Sequence, residues 1–220
     1  MVDRAREQVP SVEACPLCDG DASLAERDRS RTFFACPRCD LVFVPRREHL
    51  PPAQERARYE RHQNSMENIG YVQMFTRKIR LMRRTWQGVR RVLDYGCGPG
   101  PVLVELLRRI GYDAYGYDPY FAPQMPPGPF DAVVSTEAFE HFASPRRELD
   151  RIAALLRPGG YLNVMTRLRP AGQALRSWWY ARDPTHVAFY SQATFRWIAK
   201  VWGYRECYSN ADDFIILKKC

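Results

Sequence analysis

Arg91-Val-Leu-Asp-Tyr-Gly-Cys-Gly-Pro-Gly-Pro101, followed by Tyr115-Gly-Tyr-Asp-Pro119, is the part of the chain that decides how the rest is read. Val92 and Leu93 form a short apolar run that ends on Asp94. Gly96, Gly98 and Gly100 remove side chains where the backbone must turn and a ligand must come close. Pro101 suits the first turn of a helix, where no N–H is missed. Val102, Leu103, Leu106, Leu107 and Ile110 then recur on one helical face. A second short strand closes on Asp118, 22 residues after Gly96. In a nucleotide-binding strand–helix–strand unit, an acid at that distance meets ribose hydroxyls. The fold class predicted from this stretch is α/β.

The glycine spacing is G-x-G-x-G, whereas a dinucleotide site asks for G-x-G-x-x-G. Asp94, at the strand end, would repel a pyrophosphate. It suits a ligand that carries an ammonium and a sulfonium group. Together with Asp118 and Leu156-Arg-Pro-Gly-Gly160, the pattern resembles the class I S-adenosylmethionine (SAM) methyltransferases, from Arg91 onward. The resemblance implies a Rossmann-like sheet and SAM as cofactor. It implies cofactor contacts from Asp94, Tyr95, Gly96, Cys97, Gly98, Gly100, Tyr117, Asp118, Pro119 and Tyr120. Thr136 and Glu137, after the family's fourth strand at Phe130–Ser135, would approach the methionine part. Glu140 and His141 match a common Glu-His pair at this position, with His141 orienting the loop.

The family pattern breaks after Asp118. Prolines 119, 123, 126, 127 and 129 rule out a helix and a central strand there. The sheet is therefore predicted to lack the family's third strand, in the order 2-1-4-5-7-6 with the last strand antiparallel. Tyr117, Tyr120 and Phe121 are expected to stack on the base in place of the usual adenine-side acid. Arg157-Pro-Gly-Gly160 reads as a turn before a fifth strand at Tyr161–Thr166. Ser191 caps a later helix. Tyr204–Tyr208 and Phe214–Lys218 close the sheet.

Neutral nucleophiles need somewhere to put a proton, and a histidine is the natural acceptor. His186 is the catalytic candidate. It lies in the insertion Trp178–Val187, beyond the fifth strand, with Asp183 and Thr185 nearby. Substrate or lid contacts are expected from His62, Asn64 and Tyr71 ahead of the glycine turn, and from Trp178, Trp179 and Tyr180 in the insertion. For each, loop capping or core packing is the plainer alternative.

Cys15-Pro-Leu-Cys18-Asp-Gly is echoed by Cys36-Pro-Arg-Cys39-Asp-Leu, with seventeen residues between the pairs. This spacing predicts a closed four-thiolate zinc site, structural rather than catalytic. Thr32–Ala35 and Leu41–Val44 flank the second pair as strands of a zinc ribbon. The expected division is a tail and zinc ribbon over 1–48, a linker and helical cap over 49–90, and the methyltransferase domain over 91–220.

Hydrophobic residues make up 45% of the chain, enough for a core. No apolar run approaches 18 residues, so no membrane partner is expected. Met1–Pro10 is charged and unlike a signal peptide, and a cytoplasmic location is expected. The net charge is +8, and Arg77, Lys78, Arg80, Arg83 and Arg84 cluster ahead of the glycine turn. A phosphate partner would suit that cluster, as would simple solvation. Three functions stay open. One is methyl transfer to a small-molecule oxygen or nitrogen. The second is RNA methylation, with the ribbon and basic helix as grip. The third is a non-catalytic zinc-binding SAM sensor.

Overall fold

The computed structural model describes residues 10–27, 31–61, 65–172 and 174–220. The two cysteine pairs fold alike, as their repeated sequence demands. The Cys15 and Cys36 N–H groups donate to the carbonyls of Gly20 and Leu41, each at 2.9 Å. Asp19 and Asp40 take left-handed conformations, φ 57° and 59°, to close the two knuckles. Around them run β1 (Val12–Ala14), β2 (Asp21–Arg27), β3 (Thr32–Ala35) and β4 (Val42–Phe43). Val12–Ala14 lies in the stretch ahead of Cys15, where the sequence predicts a tail. Its pairing with Asp21–Ser23 makes it a strand instead.

Two helices lead out of this sheet. α1 (Pro52–Tyr59) starts after Pro51, and α2 (Ile69–Thr85) starts where the Asn68 side chain accepts from the Tyr71 N–H at 3.1 Å. Phe75, Ile79 and Met82 recur along α2 at helical spacing and are buried. Beyond α2 come β5 (Arg91–Tyr95), α3 (Val102–Arg109), β6 (Asp113–Tyr117) and β7 (Phe130–Thr136). α4 (Pro145–Leu155), β8 (Leu156–Met165), β9 (Ala188–Phe189), α5 (Gln192–Trp202), β10 (Tyr204–Ser209) and β11 (Phe214–Lys219) complete the order. The Ser191 hydroxyl accepts from the Thr194 N–H at 3.1 Å and caps α5, as expected.

The large sheet runs β6-β5-β7-β8-β11-β10, with β11 antiparallel to both neighbours. In family terms this is 2-1-4-5-7-6. No strand lies between Asp118 and Pro129. Only an isolated bridge, Asp118 to Ala122, forms there, so β6 is a sheet edge. The fold is Rossmann-like, as predicted. The Arg157–Gly160 segment departs from the expected turn. It stays within β8, where Phe130 pairs with Leu156 and the register shifts before Ala132 meets Tyr161.

The ribbon sheet does not end at β4. Val42 and Phe43 pair with Phe189 and Ala188 of β9, just after the insertion. The apolar interior is continuous across the two sheets. Leu17, Phe34 and Leu41 of the ribbon share one cluster with Leu93, Phe139, Leu149 and Ile198 under the large sheet. The other ribbon face packs Phe33 and Val44 on Leu175, Trp178 and Phe189. Among the described residues, no helix is long and apolar enough to cross a membrane.

Candidate active site

Strand β5 carries Asp94 and Tyr95 to the carboxyl edge of the sheet, and the chain turns at once. Gly96 has φ +88°, and a Cβ there would lie 2.6 Å from the Ala138 Cβ. Conformation and space both demand glycine. The Gly96 and Cys97 N–H groups donate to the Tyr117 carbonyl at 2.8 and 3.1 Å. Asp118 draws the rest together. Its Oδ2 accepts from the Gly98 N–H at 3.0 Å, and its Oδ1 from the N–H groups of Tyr120 and Phe121 at 2.8 and 3.2 Å. The glycine turn and the chain after β6 are thus hung on one carboxylate.

Asp94 is 3% exposed, and its Oδ1 has no hydrogen-bond partner. Burial, with Asp118 close by, pushes it up to about 8. A buried acid left without a donor is costly, and a cationic ligand would relieve it. Glu137 follows β7 with φ +49°, and its N–H donates to the Met165 carbonyl at 2.8 Å. Left-handed backbone at a glutamate costs on the order of 1 kcal/mol, and such strain gathers at functional sites. Burial, then the neighbouring Glu140, pushes Glu137 up to about 8.

These groups line a cavity of about 290 Å³ outside the carboxyl ends of β5 and β7. That is where open α/β sheets bind ligands. Helix α1 forms part of its wall. Glu55 accepts from the hydroxyls of Tyr59 and Tyr120, both at 2.6 Å. Arg58 holds Asp183 of the insertion through two bonds of 2.9 and 2.6 Å. Among the described residues, no lysine or arginine lines the cavity.

Of the cofactor residues expected from sequence, ten line this cavity: Asp94, Gly96, Cys97, Gly98, Gly100, Asp118, Pro119, Tyr120, Thr136 and Glu137. Tyr95 and Tyr117 do not. Side chains alternate along a strand, and these two rings meet each other at 5.1 Å instead. The Arg151 guanidinium donates to both hydroxyls at 3.4 Å, and Tyr95 also bonds Glu148. Of the three aromatics expected at the base, Tyr120 and Phe121 line the cavity and Tyr117 does not. Tyr71 lines it too. His62 and Asn64 lie outside the described residues.

In the insertion, Trp178 is buried against Phe189 and Tyr180, away from the cavity, and Trp179 is 62% exposed. Tyr180 is buried, with its hydroxyl 3.2 Å from that of Thr166. His186 lines the cavity, its Nδ1 on the Tyr180 carbonyl at 2.8 Å. Burial, then the adjacent His141, pushes its imidazole down to about 3, so the ring stays neutral. Sequence reasoning missed Glu55 as a wall residue. Its signal was the i,i+4 pairing with Tyr59 on a proline-initiated helix.

The four ribbon cysteines are buried and converge. Cys15 and Cys39 sulfurs are 3.5 Å apart, and those of Cys18 and Cys36 are 3.3 Å apart. All four lie within 4.8 Å of one another. That is the donor set and spacing a tetrahedral thiolate metal needs.

Several known proteins are similar to this chain. An uncharacterized methyltransferase of Mycobacterium tuberculosis is 33% identical over 106 residues, covering 38% of this chain and 54% of its own. A ubiquinone biosynthesis O-methyltransferase from a Caulobacter species is 32% identical over 151 residues, covering 57% and 52%. The chain thus spans about half the length of the curated relatives it matches. Among solved structures, a SAM-dependent methyltransferase from Archaeoglobus fulgidus superposes with a TM-score of 0.51 at 20% identity, over 67% of this chain and 94% of that one. That likeness is one of fold. A family model described as a methyltransferase domain matches residues 54–206, which include the cavity-lining part of α1, the glycine turn and the insertion. The strand order, the glycine cradle and this match agree, and the chain belongs to the class I methyltransferase-domain family.

Proposed function

We propose that this chain is a SAM-dependent methyltransferase that acts on an oxygen or nitrogen of a small molecule. The observation that carries the reading is Asp94, a buried carboxylate with a partnerless oxygen beside a turn that only glycine can make. SAM brings an already activated methyl group, so the chain's task is alignment. In this reading Asp94 and Glu137 face the cationic methionine end. Asp118, with lone pairs to spare beyond its three backbone donors, takes the ribose hydroxyls. Tyr120 and Phe121 flank the base. A lining without lysine or arginine among the described residues favours an uncharged or cationic acceptor over a polyanion such as RNA. The O-methyltransferase relatives point the same way. Cys15, Cys18, Cys36 and Cys39 would hold one structural zinc.

Calorimetric titration with SAM is the first test. Binding is expected, and Gly96→Ala should weaken it at least about tenfold, roughly 1.4 kcal/mol, because the new Cβ collides with Ala138. No binding to the wild-type chain would overturn the reading. Release of S-adenosylhomocysteine is then followed with pools of phenols, alcohols, amines and RNA. Turnover on RNA alone would move the acceptor to the nucleic-acid class. SAM binding without turnover on any pool would favour a sensor.

A further inference from the structure

Three side chains in the cavity wall have chemistry that cofactor binding leaves unused. Glu140 and His141 sit in the short helical turn Phe139–His141 after β7. His186 arrives from the insertion just before β9. The Arg31 guanidinium holds that segment by donating to the carbonyls of Ala181 and Asp183, at 2.5 and 2.8 Å, and to that of His186. A carboxylate oxygen of Glu140 and one nitrogen from each ring lie within 4.8 Å of one another.

The hydrogen bonds decide which atoms are free. His141 Nδ1 lies 2.9 Å from the Thr185 carbonyl, and His186 Nδ1 lies 2.8 Å from the Tyr180 carbonyl. A carbonyl oxygen only accepts. Each Nδ1 therefore carries the hydrogen, and each Nε2 keeps its lone pair. Glu140 is fully buried. Its Oε2 accepts from the Thr166 hydroxyl at 2.8 Å, while its Oε1 has no hydrogen-bond partner. An imidazole that gives one N–H to a backbone carbonyl and offers the other nitrogen is the arrangement found behind metal-ligating histidines. Here it occurs twice, with the Glu140 carboxyl in the same cluster.

We propose that Glu140, His141 and His186 bind a divalent transition-metal ion of the zinc type in the wall of the cavity. Two imidazoles and one carboxylate suit zinc, cobalt or ferrous iron better than magnesium or calcium, which prefer oxygen ligands. Three protein ligands leave a position open, unlike the closed four-thiolate site in the ribbon. The use of that position rests on the methyltransferase reading. It fits a hydroxyl acceptor, an alcohol or phenol, whose acidity the ion would raise. The O–H proton passes to water, and the oxygen's electron pair forms the new O–CH3 bond. The S–CH3 bond of SAM breaks with its electron pair onto sulfur. His186 acts in this as a ligand and not as the general base.

The test counts metal on the full chain. Protein loaded with Zn²⁺ and freed of excess by gel filtration should carry two equivalents. His141→Ala, Glu140→Gln and His186→Ala should each carry one while still binding SAM by calorimetry. Titration of the metal-free wild type with Co²⁺ separates the two sites without any variant. Thiolate-to-cobalt charge-transfer absorption reports the ribbon alone, so a further equivalent bound without added charge transfer belongs to the new site. The proposal falls if Co²⁺ binding stops when the charge-transfer band saturates. It also falls if SAM-binding variants keep both zinc equivalents. A second equivalent in protein that does not bind SAM would retain the metal site and sink the methyltransferase reading. SAM binding with no ion beyond the ribbon's does the reverse.

Discussion

At neutral pH the Asp94 carboxyl keeps its proton, because burial, with Asp118 beside it, pushes it up to about 8. Its contribution to stability is full below the unfolded value near 3.9 and is lost as pH rises through about 8. A cation seated against the carboxylate reverses that preference. SAM affinity is therefore expected to rise between pH 6 and 8, with a proton released on binding. Calorimetry in buffers of different ionisation enthalpy reads both effects. Asp94→Asn should weaken binding and flatten the pH dependence. A wild-type affinity indifferent to pH would detach Asp94 from the ligand. Asp94, the glycines and Asp118 were legible in sequence because they lie within one strand–helix–strand unit, at spacings set by local geometry. Glu140 and His141 were visible as an adjacent pair, and His186 on its own. Their meeting was not, because it depends on the path of the insertion and on the hold of Arg31. Tyr95 and Tyr117 were misplaced for a simpler reason: motif membership does not say which face of the strand a side chain takes.

Helix α1 shows how an element acquires a role from distant partners. Burial alone would raise Asp183, but Arg58 and Thr185 hold it well below the usual carboxylate range. The Arg58–Asp183 bond therefore stabilises the fold above about pH 4 and is lost as pH falls below the usual aspartate range. Both side chains are partly exposed, 36% and 25%, so solvent screens the pair to about 1 kcal/mol or less. Arg58→Ala should lower the melting temperature by no more than about 2–4 °C. Amide exchange along Pro52–Tyr59 should quicken, and SAM should leave faster. Unchanged exchange in that helix would show that α1 is held by Glu55 and its two tyrosines alone. The loss of the third strand was legible because proline acts locally. The Arg157–Gly160 segment was misread because local turn propensity yielded to pairing with β7. Strand β9 is two residues long, too short for any periodicity to announce it.

The molecule as a whole is two sheets that share one apolar cluster. Asp40 of the ribbon takes both Arg169 and the hydroxyl that caps α5. Leu17 and Phe34 pack in the same cluster as Phe139 and Ile198. Loss of the proposed ribbon zinc should therefore be felt in the cavity. Cys36→Ser, or a strong thiol-competent chelator, is expected to lower the melting temperature and the SAM affinity together. A ribbon that unfolds while SAM affinity holds would mean the two sheets stand independently. The cysteine spacing made the ribbon legible, but its fusion to the rest was not, since apolar clusters between remote segments leave no local pattern. The pairing of β4 with β9 also imposes an order on biosynthesis. The ribosome delivers both cysteine knuckles and the bare edge of β4 long before Ala188 and Phe189 emerge. At ordinary translation speeds that interval is on the order of ten seconds. Throughout it the nascent ribbon shows an unpaired strand edge, the kind of surface that recruits other chains. Early capture of zinc by the thiolates would keep the half-built ribbon folded until its fifth strand arrives.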